Sequence, residues 1–214
     1  MFPKIPAITA AVCLAVALLL VPFAFHPAKR VIAASTASPA YTDKGDMLPP
    51  ENYREWIYLT SGIDMNYNAK AAAMADHSMF DNVFVNPEAY HSFLETGTWP
   101  DKTVMVLEVR EAGGKSSINE RGHFQKGTVM GFEIHVKDEA RFPGKWAFFG
   151  FDSPDKNGEL IPQKATCYSC HAAHAAVDTT FVQFYPTLLP LATKKGTLIK
   201  EYLQEEAAHA AAAK

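Results

Sequence analysis

Thr128-Val129-Met130-Gly131-Phe132-Glu133-Ile134-His135-Val136 is rich in β-branched and aromatic residues and reads as a strand. Its period of two sets Val129, Gly131, Glu133 and His135 on one face, and Met130 and Phe132 on the other. Runs of the same character lie on either side, at 103–110 and 145–151. Charged or Gly-rich connections separate them, beginning after the first run at Gly113-Gly114. Upstream, 82–85 predicts a short strand. Asn86-Pro87 then opens a helix, with an asparagine cap and a first-turn proline. Gly97 ends it, and Tyr90, Phe93 and Leu94 would be buried. A helix over 51–60, behind Pro49-Pro50 and stopped by Gly62, would place Tyr53, Trp56 and Ile57 on one face. Residues 64–78 are ambiguous. Downstream, 152–164 is a polar loop, and Pro186 and Pro190 prevent one continuous helix through the apolar stretch from 180. An amphipathic helix over 197–208 would use Leu198, Ile199, Tyr202 and Leu203, and the Ala-rich end would fray. Helices flanking consecutive strands give an α+β domain on an antiparallel sheet.

The amino-terminal end reads differently. Residues 5–25 are apolar or small behind Lys4, the pattern of an export signal. Cleavage fits near 35–40, where small residues cluster. The run is also long enough to remain as a membrane anchor, although Lys29 and Arg30 on its far side argue against one. Residues 26–48, rich in Ala, Ser, Thr and Pro, read as a linker. The expected organisation is a leader with linker over 1–40, one domain over 41–196, and a C-terminal helix and tail over 197–214. The whole chain carries a formal charge of −3. Lys4, Lys29 and Arg30 leave with the leader and no acid does, so the remainder is more acidic. No basic stripe survives, which argues against a nucleic-acid partner. Cys13 belongs to the leader, and Cys167 and Cys170, so close together, exclude a long-range disulfide framework.

Those two cysteines stand in Cys167-Tyr168-Ser169-Cys170-His171. This spacing supplies two thiols that can add to the two vinyl groups of one haem, and an adjacent imidazole to ligate the iron. The attachment is made in an exported compartment, so leader and motif agree on a periplasmic location. A thioredoxin-like pair would need a βαβ context, and a zinc site would need a second pair of ligands. The sixth coordination position separates electron transfer from ligand chemistry. Its candidates are Met65, Met74, Met79, Met105, Met130, His77, His91, His123, His135 and His174, and none makes a strong claim.

Several segments together resemble the cytochrome P460 family: Asn52-Tyr53-Arg54-Glu55-Trp56, Asn86-Pro87-Glu88-Ala89-Tyr90, Gly131-Phe132-Glu133 with Val136-Lys137-Asp138, Trp146-Ala147-Phe148-Phe149, the cysteine motif, and the run from Asp178 to Pro186. The resemblance covers about 48–190. It implies a curved antiparallel sheet flanked by helices, a homodimer, and one covalent haem c with Cys167 and Cys170 as tethers and His171 as axial ligand. The distal side would be open. Family members either oxidise hydroxylamine, with an extra lysine link to the haem and a cytochrome as electron acceptor, or bind nitric oxide without that link. Leu107 occupies the strand position where the cross-linking lysine is expected. Lys102 is out of register and would face the other way. Glu133 matches a distal carboxylate able to accept a proton. Phe80, Phe84, Phe132 and Phe149 are candidates for an apolar pocket wall. Nitric oxide binding, hydroxylamine oxidation and simple electron transfer all remain open at this point.

Overall fold

The computed structural model describes residues 38–67 and 77–213. The leader, Met74 and most of the ambiguous 64–78 stretch lie outside these. Among the described residues, six antiparallel strands form one meander in the order β1 to β6. They are β1 Ile57–Ile63, β2 Met79–Val85, β3 Val104–Gly113, β4 Phe124–Lys137, β5 Trp146–Phe151 and β6 Glu159–Leu160. The helices are α1 Pro87–Thr96, α2 Thr166–His174, α3 Leu189–Lys195 and α4 Lys200–Ala212. The α+β architecture expected from the sequence is the one observed.

Side-chain alternation gives the sheet two apolar faces. On one, Val104, Val106, Phe132, Ile134, Val136, Ala147 and Phe149 pack with Trp56 and Met47. On the other, Leu59, Val85, Met105 and Trp146 meet Phe93, Trp99 and Leu188 from the helical side. Met47 is 1% exposed, and its backbone exchanges two hydrogen bonds with Gly158. The end of the expected linker is therefore part of the fold.

The expected helix over 51–60 is instead one 3-10 turn, Tyr53–Glu55, followed by β1. Asn52 in the left-handed region (φ 53°) turns the chain before it. Trp56 and Ile57 belong to opposite faces of the sheet, which no single helical stripe could serve. Asn86 does not cap α1 with its side chain. It accepts from the Val104 N–H and donates to the Lys102 carbonyl, clipping the helix start to β3. Gly97, at φ 77°, closes α1 with its N–H on the Phe93 carbonyl, as the sequence indicated. Leu94 is exposed, because the core stripe runs through Ala89 and Phe93. At the other end, α4 starts at Lys200, and Leu198 and Ile199 pack into the core ahead of it. The alanine tract is helical to Ala212 rather than frayed. In β4, register shifts beside Val109 and Arg110 turn Val129 to the face opposite Gly131, correcting the simple alternation.

Candidate functional site

Cross-strand register arranges one sheet face in rows. Val85, Met105, His135 and Phe148 form the first row, and all four are buried beneath the helices. Val83, Leu107, Glu133 and Gly150 form the second, and Asp81, Val109 and Gly131 the third. Burial falls away abruptly here. The residues of these two rows are only partly buried, and Glu133 is exposed. The result is a shelf floored by Val83, Leu107 and Val109. Gly131 and Gly150 raise no side chain above it.

The cysteine motif lies against the buried end of this shelf. Helix α2 is fixed there by Tyr168, whose hydroxyl accepts from the Phe148 N–H at 3.3 Å and donates to the Ile161 carbonyl at 3.0 Å. Its far end is held by His174 on the Glu205 carboxylate and by Gln183 on the His174 carbonyl. Cys167 and Cys170, three apart on a helix, share one side, and both thiols are free. Burial and the neighbouring Cys167 push the Cys170 thiol up from its usual range.

The His171 ring sits among Phe181, Phe148 and His135, at centroid distances of 4.2, 4.6 and 5.0 Å. Its Nδ1 lies 2.7 Å from the Thr179 carbonyl oxygen. A carbonyl can only accept, so Nδ1 carries the proton and Nε2 presents a bare lone pair to a metal. Tyr67 stacks on Phe181 at 5.9 Å. Partial desolvation and the charges of Asp81 and Cys170 raise its phenol, although the ring itself is largely exposed. An accessible apolar floor, two adjacent thiols and an imidazole with a free Nε2 suit a flat, apolar, metal-bearing group. The residues present fit a haem.

Two carboxylates share the shelf. Partial desolvation by the surrounding shelf raises Glu133 although its side chain still reaches solvent, and desolvation raises Asp81 to about 6, with Asp64 and Glu133 adding to the effect. The sequence pointed to Glu133 but missed Asp81, because the expected strand began only at Asn82. Extending the same alternation by one residue would have found it.

Leu107 and Glu133 are directly paired across β3 and β4 on the shelf side. Lys102 sits before β3 in an ion pair with Asp138, away from the shelf rows. The four phenylalanines proposed for a pocket wall lie on the other face. Phe132 and Phe149 are core there, and Phe84 packs on Tyr53 in that same cluster. Phe80 shares their alternation in β2. The aromatic groups at the site are Phe148, Phe181 and Tyr67 instead. Two of these lie outside the strand runs, where alternation gives no guidance. Among the sixth-ligand candidates, Met105 is core and Met130 is exposed. His91 lies on α1 beside Tyr90, and His174 is paired with Glu205. His135 stands beside His171 on the same side of the shelf, with its Nε2 against the Thr179 hydroxyl. Met65, His77, Met79 and His123 belong to the segments where β1 ends and β2 and β4 begin.

The cytochrome P460 family model matches residues 50–182, which takes in every strand and the cysteine motif. The chain belongs to the cytochrome P460 family, and is therefore a haem-binding cytochrome. No curated protein matches it.

Asp81 gives the haem-free chain a measurable pH signature. Its folded carboxyl is raised from 3.8 to about 6, so the folded state holds a proton that the unfolded chain releases sooner. That stabilisation is complete below the unfolded value and disappears as pH rises through about 6. The shift alone bounds the effect at about 3 kcal/mol, and partial exposure reduces it to about 1 kcal/mol. Denaturant unfolding of Asp81→Asn should therefore gain relative stability from about pH 4 to about pH 7. A wild-type-minus-variant difference independent of pH would show that Asp81 titrates normally.

Proposed function

We propose that this chain is an exported mono-haem c-type cytochrome that binds a small nitrogen ligand, nitric oxide above all, at an open haem face. Cys167 and Cys170 tether the haem and His171 ligates its iron through Nε2. The observation that carries this reading is the pairing of Leu107 with Glu133 on the uncovered rows beyond His171. A leucine at that position supplies apolar surface and no amine for a second covalent link, and Lys102 is engaged by Asp138. A bound haem would supply an iron able to take nitric oxide, and the chain supplies an apolar floor of Val83, Leu107 and Val109 with Glu133 and Asp81 beside it. The leader argues for the periplasm, whether it is removed or kept as an anchor. A homodimer and a partner cytochrome complete the reading.

Hydroxylamine oxidation is the second reading, and Glu133 favours it. Its raised carboxyl is poised to accept a proton from an N–H or O–H group on the shelf. Stopped-flow absorbance of the reduced, haem-loaded protein should show saturable nitric oxide binding, one ligand per chain. Steady-state assays with hydroxylamine and an artificial electron acceptor should show little turnover. Substantial turnover that falls 10²-fold or more in Glu133→Gln would establish the enzyme instead. Failure to bind nitric oxide would overturn the primary reading.

A further inference from the structure

The loop that accepts the His171 proton is itself held from the sheet side. Thr179 follows Asp178, which is in the left-handed region at φ 51°. The Thr180 N–H and hydroxyl both donate to the Val177 carbonyl, at 2.9 and 2.8 Å. The Trp99 indole donates to the Thr180 hydroxyl at 2.7 Å, and Lys137 reaches Asp178 at 3.5 Å. These contacts fix both neighbours of Thr179. The hydroxyl of Thr179 itself lies 3.2 Å from His135 Nε2.

His135 has little freedom. It is stacked on Phe148 at 4.0 Å with 9° between the planes, and lies 4.4 Å from Trp146. Its ring also meets His171 edge-on, at 74°. One buried side chain therefore acts on the His171 imidazole in two ways, directly and through Thr179. It forms a wall against the ring, and it holds the residue whose carbonyl accepts the Nδ1 proton. A hydrogen bond at Nδ1 makes an imidazole a stronger donor through Nε2, and the strength of that bond depends on where the carbonyl sits.

We propose that His135 and Thr179 are a pair of positioning residues that set the orientation and donor strength of the His171 imidazole. This rests on the reading of His171 as the iron ligand. The Thr179 hydroxyl and His135 Nε2 hold the Thr179 peptide in register with Nδ1, while Phe148 and Trp146 keep the His135 ring from rotating. With a haem bound through His171, the strength of that bond would tune the reduction potential and the affinity of the iron for a small ligand.

The test uses the full haem-loaded protein, with the iron–imidazole stretch of the ferrous form read by resonance Raman and the midpoint potential by redox titration. Thr179→Val removes the hydroxyl and keeps the carbonyl and the side-chain size. His135→Phe keeps the stacked ring and removes Nε2. Both variants should shift the stretch and the potential in the same direction, and the double variant should shift them no further than the larger single change. Thr179→Ser, which keeps the hydroxyl, should leave both readouts at their wild-type values. A merely structural role would move the melting temperature and leave both readouts in place, and that result would overturn the proposal. Because His135→Phe changes a buried residue, Thr179→Val decides the matter if the former fails to fold. Absence of any iron–imidazole stretch in the wild type would overturn the His171 reading along with this one. A normal wild-type stretch that Thr179→Val leaves unmoved overturns this one alone.

Discussion

Serine at both Cys167 and Cys170 should remove all covalently bound haem, while the wild type carries one haem per chain through denaturation. The structure gives the reason. The two thiols share one side of α2, both are free, and the helix is held against the shelf by Tyr168 at one end and by His174 and Gln183 at the other. An oxygen in place of sulfur cannot form the thioether, so the single variants should retain one link each and the double variant none. The readout is intact mass under denaturing conditions, with haem staining as a parallel measure. Covalent haem surviving in the double variant would require a third attachment point, and would reopen the question of a lysine link.

A second large effect is expected on the opposite face of the sheet. Glu108 is fully buried and accepts from Arg110 Nε at 2.6 Å, from the Tyr53 hydroxyl and from Arg54. Burial and Glu108 together push the Tyr53 phenol up to about 12, so it remains a donor throughout the ordinary pH range. Glu108→Ala would leave the Arg110 side chain, only 12% exposed, without its counter-charge and the Tyr53 hydroxyl without its acceptor. Breaking such a buried pair from one side costs about 3–5 kcal/mol, or a fall of roughly 10 °C in melting temperature for a chain of this size. Arg54→Ala should cost about 1 kcal/mol at most, since its side chain is half exposed and screened. Thermal unfolding of the two variants side by side is the measurement. Glu108 faces away from His171, so the haem spectrum of Glu108→Ala should match wild type below its melting range. A loss under about 1 kcal/mol would mean that the network contributes nothing net.

The parts of the fold written in strand alternation were legible from the sequence. The runs that became β3, β4 and β5 were found, β5 to within one residue, but β3 runs on to Gly113 and β4 begins already at Phe124; the alternation placed Glu133 and His135 together on the face that meets His171. Where a local irregularity interrupts the period, the reading failed. Val129 is displaced by register shifts, and the 51–60 segment changes from a 3-10 turn to a strand within a few residues. Neither event has a signature in hydrophobic spacing. The same limit explains the misplaced phenylalanines: their type suggested a pocket wall, but their parity put them in the opposite core. Phe181, Tyr67 and Thr179 lie in loops. Only tertiary contacts bring them to His171, so sequence distance concealed them.

The haem proposed for this chain would have one protein ligand, His171, and an open opposite face. Electronic absorption and EPR spectra of the ferric, haem-loaded protein would show this coordination. High-spin, five-coordinate iron of ordinary c-type character is the expected result. Low-spin iron with a second protein ligand would contradict it.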